Sequence, residues 1–413
     1  MPGLHLSDGC YLLQGLDLAA LGQEFGLPLF VYDTERIRFK YEQMAQAFEG
    51  LNAKVKFPVK ALNNSSILKY LRQLGAGLDT VSIQEAMLGI RAGFRPDEII
   101  FTPNCVSFQE MQEAVALGLV INIDNIPTLE RFGHEYGGSI PCCVRFNPHI
   151  YAGGNSKIQV GHIDSKFGIS VYQLRHVQRI IQASGIRVSG IHVHTGSDIL
   201  DPNAYVQSAN ILFDIAREFP GLDFIDFGSG FKVGYKDDDV VTDLFEIGEK
   251  LRGAYRQFCE DYGRELELWF EPGKYLVSEA GYFLMPVNLI KPTPSTVFVG
   301  VDSGLNHFIR PMMYGGYHEL LNLSNPEGPV RIYTVVGYVC ETDTFGWDRK
   351  LHEVREGDVI CLKNAGAYGY TMSSNYNSRY RPAEVMIVGG QAKLIRRREV
   401  FEDLTATLVD AEW

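Results

Sequence analysis

The sequence contains no run of eighteen apolar residues, no CxxC pair and no excess of basic charge. Each absence closes off a class of function. Without a long apolar run, no membrane-spanning helix is expected. The seven cysteines, Cys10, Cys105, Cys142, Cys143, Cys259, Cys340 and Cys361, show neither CxxC nor zinc-type spacing. No metal centre is therefore expected, and most of them read as small buried hydrophobes. With 38 Lys and Arg against 50 Asp and Glu, the net charge of −12 argues against nucleic-acid or anionic-membrane partners, which require a basic face. A small anionic cofactor stays open, because a few local donors can hold a phosphate. The opening MPGLHLSDGCYLLQG has no basic segment followed by an apolar one, so no export signal is expected. Together with the odd cysteine count, this points to reduced thiols in the cytoplasm.

What is present is a chain of 413 residues, 46% hydrophobic and 21% charged, long enough for two domains and a large core without disulfides. From about residue 54 to 273, short apolar runs (VKFPVK, GLDTVS, EIIFTP, VINIDN, CCVRFN, SGIHVHTG, FIDFGSG, LELWFEPG) alternate with stretches such as SILKYLRQLG and QLRHVQRIIQASG. The apolar spacing of those stretches suits helices, and several end in Gly. Strands alternating with helices imply parallel pairing and right-handed crossovers, and eight units match a closed (β/α)8 TIM-like barrel. A doubly wound open sheet would show similar alternation. After about residue 285, STVFVGVD, RIYTVVGYVC, GDVICLKN, AEVMIVGG and QAKLIRR read as strands with turns between them. The predicted organisation is an N-terminal segment over 1–35 joining a β domain, a barrel over 36–283, and a C-terminal β domain over 284–413.

The residues that end the barrel strands carry the chemistry. Lys60 ends the first strand, Asp79 the second, Arg145 the fifth, His194 the sixth, Gly228-Ser229-Gly230 the seventh and Glu271 the eighth. A barrel would gather them at its C-terminal mouth, where active sites of this fold lie. A lysine desolvated there favours the neutral, nucleophilic amine needed for a Schiff base with an aldehyde cofactor or a carbonyl substrate. The competing reading is a side chain that snorkels to solvent. The Gly-rich turn offers backbone N–H groups to a phosphate, and the Thr195-Gly196-Ser197 turn adds a hydroxyl. Glu271 is either half of an ion pair with a neighbour such as Lys274, or an acceptor that keeps a pyridine nitrogen protonated and the ring an electron sink. His192 and His194 share a face by strand period, so the residues alone do not divide roles between them.

Nine motifs taken in order, FPVK, GLDTVS, RFNP, HVHTGSD, DFGSGF, EPGK, SGLNHFIRPMMYGGYHE, CETD and NAGAYGYTMSSNYNSRYRP, resemble those of the diaminopimelate decarboxylase family across about residues 57 to 382. The resemblance implies the alanine-racemase-like architecture of a barrel plus a β domain, pyridoxal 5′-phosphate (PLP) as cofactor, and a homodimer with shared active sites. It implies that Lys60 binds PLP covalently and that His194 stacks on its ring. Asp79, Ser197, Gly228, Ser229, Gly230, Pro272, Gly273, Lys274 and Tyr368 would also surround the cofactor, with Glu271 on the pyridine nitrogen. Arg310 and Tyr314 would bind a substrate carboxylate, with Lys274 and Tyr368 nearby. Glu341 would take the distal ammonium and Cys340 would deliver a proton, both from the partner subunit.

Two departures from the family pattern bear on these expectations. Lys274 stands where the family usually has Arg, which removes a bidentate fork. The family's CESGD reads CETDTF here, shifting the carboxylate after Glu341 by one position. A third, DFGSGF for DxGGGF, is minor provided that Ser229 does not need positive φ. The expected reaction is decarboxylation of meso-2,6-diaminopimelate to L-lysine and CO2. Alternatives are a polyamine-pathway decarboxylase of the carboxynorspermidine or ornithine type, a PLP-binding homologue without turnover, and a barrel aldolase that uses Lys60 without PLP.

Overall fold

The structure is a computed structural model that describes residues 3–149, 165–194, 196, 198, 200–236, 238–411 and 413. The chain divides into two compact units. One comprises Lys40–Val233 and Val240–Tyr275, the other Met1–Phe39, Gly234–Asp239 and Leu276–Trp413.

Four strands come first in the chain: β1 (His5–Ser7), β2 (Cys10–Leu13), β3 (Leu16–Asp17) and β4 (Leu29–Asp33). The barrel unit follows with β5 (Ala53–Pro58), β6 (Gly77–Thr80), β7 (Ile99–Phe101), β8 (Val120–Ile123) and β9 (Cys142–Asn147). It continues with the short β10 (Ile169–Ser170), then β11 (Val188–Val193), β12 (Phe224–Asp226) and β13 (Glu267–Phe270). All pairings are parallel, and β13 returns to β5 through Leu268↔Ala53, Trp269↔Lys54 and Phe270↔Val55. That closes an eight-strand ring, with β10 attached beside β9. Every residue of β9 and β11 is buried, because helices cover one face of a parallel strand and the barrel interior the other.

The sequence starts and stops the helices between these strands. Asn64, Ser82, Ser107 and Asn125 each accept a backbone N–H in the first turn of the helices Ser65–Leu74, Ile83–Arg91, Phe108–Ala116 and Ile126–Tyr136. These oxygens satisfy donors that have no partner inside the helix. Gly75, Gly185 and Gly263 take the left-handed conformation that ends their helices. The helix Leu244–Tyr262 packs so closely on the end of Thr34–Ala47 that a Cβ on Gly248 would lie 1.9 Å from the Ala47 carbonyl oxygen.

The second unit contains β14 (Gly281–Pro292), β15 (Val297–Val301), β16 (Leu320–Asn322) and β17 (Val330–Val336). After these come β18 (Thr344–His352), β19 (Val359–Leu362), β20 (Ala383–Val388) and β21 (Gln391–Arg396). Strand β4 sits between β14 and β20, antiparallel to the first and parallel to the second, so the N-terminal segment is a central strand here. Its core packs Leu29 and Val31 on Tyr282, Leu284, Cys361 and Val385. Among the described residues no helix is long and apolar enough to cross a membrane.

Replacing Gly248 with Ala forces the two helices apart and is expected to lower stability by about 1–3 kcal/mol. Urea denaturation reads this as a lower midpoint, and an unchanged midpoint would contradict the packing.

Candidate active site at the barrel mouth

The strand ends converge as a barrel requires. Lys60 lies in the single turn Val59–Ala61 directly after β5, Asp79 within β6, Arg145 within β9 and His194 just past β11. Gly228 and Glu271 follow β12 and β13. The Glu271 N–H donates to the Gly228 carbonyl at 2.6 Å, which ties the glycine turn to the carboxylate.

Lys60 differs from the expectation in one respect. Its side chain is 46% exposed, with Nζ 3.7 Å from Asp79 Oδ2, because the residue lies in the turn beyond the strand. The desolvated lysine of this strand is Lys56. Its ammonium lies 3.9 Å over the Trp269 ring, donates to the Glu98 carbonyl, and is pulled down to about 8 by burial. Burial alone therefore does not single out Lys60. Its place among the groups of the mouth does.

Those groups form a buried electrostatic cluster. His192, Asp226 and Glu271 each bring a ligand-type atom within 4.8 Å of the others. Burial raises both carboxyls, Asp226 well above the usual range and further through Glu271, while Lys60 and Arg145 pull Glu271 back. At this separation the charge on Glu271 opposes ionisation of Asp226. Asp79 is pushed up to about 6 by burial and by Glu271, against the pull of Lys60. Burial, and the Arg145 charge after it, hold His192 well below its ordinary range. Its Nδ1 accepts from Asn122 Nδ2 at 2.8 Å, so the proton sits on Nε2, which lies 3.7 Å from Glu271 Oε2.

His194 faces the glycine turn, with Nδ1 accepting from Ser229 N at 3.2 Å. Its titration is likewise depressed, by lost hydration first and then by Arg145 and Lys60. A Cβ on Gly228 would lie 2.3 Å from His194 Nδ1, and Gly228 has φ +59°. Gly230 has φ +116°, whereas Ser229 is absent from the positive-φ residues, so serine is accommodated there without strain. Asp226 Oδ1 accepts from Gly228 N at 2.8 Å and fixes the start of the turn. After Glu271 and Pro272, a Cβ on Gly273 would meet Pro58 Cγ at 2.7 Å, which places this turn hard against the end of β5. Lys274, the substitute for the family's Arg, pairs with Asp198 at 2.6 Å. Ser197 lies outside the described residues.

The remaining expected residues fall in the β unit. Arg310 and Tyr314 bracket the short helix Arg310–Tyr314, and the guanidinium lies 5.7 Å from the Tyr314 ring. Cys340 is exposed. Glu341 is exposed too, and its carboxylate accepts from the Tyr376 hydroxyl. The shifted carboxylate of CETDTF turns inward: Asp343 accepts from Leu305 N at 2.6 Å and Val339 N at 3.1 Å, so it braces the loop that carries Cys340 and Glu341. Tyr368 is half-buried at φ +57°. Sequence reasoning missed Asp226, Asn122 and Asp198. Asp226 was within reach, since it pairs with His192 in register and stands two residues before Gly228.

The residues present fit PLP. Glu271 Oε1 is buried with no hydrogen-bond partner among the described residues, and an orphaned acceptor of this kind suits a protonated pyridine nitrogen. The positive-φ glycines leave backbone open beside His194 for a phosphate. A parallel barrel whose mouth combines a lysine, a buried carboxylate and a glycine turn is the arrangement of the barrel class of PLP-dependent decarboxylases, and residues 34–278 match the family model for the pyridoxal-binding domain of pyridoxal-dependent decarboxylases. Within that class the chain belongs to the diaminopimelate decarboxylase family. It is 38% identical to the diaminopimelate decarboxylase of Methanothermobacter thermautotrophicus over 98% of this chain and 96% of that one. Identity to the Bacillus subtilis enzyme is 34%, covering 94% and 93%. The structure of the M. jannaschii enzyme in complex with L-lysine superposes with a TM-score of 0.90 at 29% identity, covering 99% of this chain and 98% of that one.

Gly228→Ala places a methyl group against His194 at a backbone angle costly for L-residues. Strain of about 1–3 kcal/mol predicts PLP binding weakened about ten-fold or more, with the fold intact. Titration of cofactor absorbance beside far-UV circular dichroism checks this, and wild-type PLP affinity in the variant would contradict it.

Proposed function

We propose that the chain catalyses the PLP-dependent decarboxylation of meso-2,6-diaminopimelate to L-lysine and CO2, as a cytoplasmic homodimer with shared active sites. The single observation that carries the reading is the orphaned Glu271 acceptor at the mouth of a PLP-type barrel; the β unit separately carries the Arg310 guanidinium and the exposed Glu341 carboxylate. The substrate end that does not react carries both a carboxylate and an ammonium, so it needs one cation and one anion. A decarboxylase for ornithine or arginine has no distal carboxylate and no use for a guanidinium there.

Bound PLP supplies a protonated ring that accepts the electron pair released as CO2 departs. The chain's own groups do the rest. Lys60 would hold the cofactor covalently through its ε-amine. Glu271 keeps the pyridine nitrogen protonated, and His192 and Asp226 fix that carboxyl. His194 would lie against the cofactor ring, and the Gly228–Gly230 turn, Ser197 and Tyr368 would hold the phosphate. Arg310 and Tyr314 bind the distal carboxylate, and Glu341 the distal ammonium. Cys340 delivers a proton to the α-carbon, after which L-lysine leaves. The exposure of Cys340 and Glu341 suits groups that serve the site of a partner subunit. Lys274, bound to Asp198, supports the residues around the cofactor as an ion pair in place of the family's guanidinium.

The test is CO2 and lysine release from PLP-supplemented protein, with diaminopimelate set against ornithine, arginine and carboxynorspermidine. Release is expected from diaminopimelate alone, and Lys60→Ala should lower it about a thousand-fold or more. Preference for any competing substrate would sink the assignment. Glu271→Gln is expected to cost about a hundred-fold in kcat, the scale seen when one preorganised electrostatic group is lost; unaltered turnover would remove Glu271 from its role.

A further inference from the structure

His318 is a buried histidine that the proposed mechanism does not use. It lies at the end of the RPMMYGGYH segment, eight positions after Arg310, and none of its surface is exposed. Its Nδ1 lies 2.9 Å from the Lys363 carbonyl oxygen. A carbonyl only accepts, so Nδ1 carries the hydrogen and Nε2 is left as an acceptor. Arg310 Nε donates to that nitrogen at 3.4 Å. From the adjacent nitrogen of the same guanidinium, Arg310 Nη2 donates to the Tyr235 hydroxyl at 3.2 Å. Rings lock the imidazole in place: Phe308 meets it edge-on at 4.8 Å and Tyr235 at 5.1 Å.

We propose that His318 is a positioning residue for substrate recognition: as a fixed neutral acceptor, with Tyr235 as its counterpart, it aims the outer Nη1–Nη2 edge of Arg310 at the distal carboxylate of the substrate. The inference rests on the reading of Arg310 given above and deepens it. A guanidinium is planar and binds a carboxylate best through two parallel N–H bonds, so its orientation decides how much of that bidentate interaction is realised. An arginine on a short surface helix has several rotatable bonds and would otherwise sample many orientations. Holding Nε and one Nη2 hydrogen on protein acceptors removes that freedom and still leaves the outer edge to bind. A second cation beside Arg310 would repel it, and burial with the Arg310 charge holds His318 down to about 3, so the ring stays uncharged at any working pH.

Three variants test this in the PLP-loaded enzyme: His318→Phe, which keeps a ring but loses the acceptor, His318→Gln, which restores an acceptor, and Tyr235→Phe, which removes only the hydroxyl. KM for diaminopimelate and the binding constant for L-lysine, which keeps the distal carboxylate, are expected to weaken about ten-fold in His318→Phe. Tyr235→Phe should weaken both about three-fold, and His318→Gln should recover most of the loss. At saturation kcat should stay within about two-fold, because uniform binding is what is removed. Cadaverine, which has no carboxylate, should bind all variants as it binds wild type. General damage to the fold would weaken both ligands alike. The proposal is overturned if His318→Phe binds L-lysine as tightly as wild type, or if cadaverine and L-lysine weaken equally. Should His318→Phe fail to fold, Tyr235→Phe and His318→Gln decide by the same ligand contrast. A wild-type enzyme inert on diaminopimelate would sink the substrate reading instead, while the contrast between L-lysine and cadaverine still reports on Arg310.

Discussion

The return of β13 to β5 is the constraint on which the catalytic arrangement depends. Three residue pairs join the last barrel strand to the first, and the parallel direction obliges both to end at the same mouth. Glu271 and the Lys60 turn become neighbours for that reason alone, although most of the barrel lies between them in sequence. The same closure seats the glycine turn beside Glu271 through a 2.6 Å backbone hydrogen bond. An open sheet built from the same alternating elements would leave its first and last strands at opposite edges.

Closure also creates the electrostatic problem that the site exploits. Strand ends inside a barrel have little water, yet Asp79, Arg145, Asp226 and Glu271 are all buried there. Desolvation raises each acid, and the carboxyls oppose one another's ionisation. Such a cluster is poor stabilising material, since buried charges recover their lost hydration only with good partners. Its oxygens without a hydrogen-bond partner include Glu271 Oε1, the acceptor proposed above for a cationic ring nitrogen. In the β unit the polarity is handled differently: Arg310 is given two neutral acceptors, which orient it without cancelling its charge.

Much of this was legible in the sequence, because parallel barrels write their strands as short apolar runs and their functional residues at the strand ends. Among the strands that escaped are the two longest of the β unit. β14 changes from fully buried to exposed along its length and contains Pro286, so it shows no single period. β18 pairs only with β17, an edge position where Trp347, Asp348 and Arg349 are tolerated and the apolar pattern fades. Desolvation as a criterion for the lysine points to Lys56, which is buried, and not to Lys60, which is not; the candidacy of Lys60 rests on its place at the strand end and on the FPVK motif.

By itself the sequence determined the alternation of strands and helices, the β-rich remainder and, through its ordered motifs, the family and its cofactor class, because strand period, helix caps, glycine turns and motifs are local properties of the chain. The N-terminal segment was expected to join the β unit, but only the tertiary structure decided that β4 sits between β14 and β20. The same is true of the pairing of Lys274 with Asp198, the inward turn of Asp343 and the support of Arg310 by His318. Each of these is a contact between segments far apart in sequence or separated by a turn. Their energy comes from burial and hydrogen-bond geometry that exist only once the chain has closed on itself.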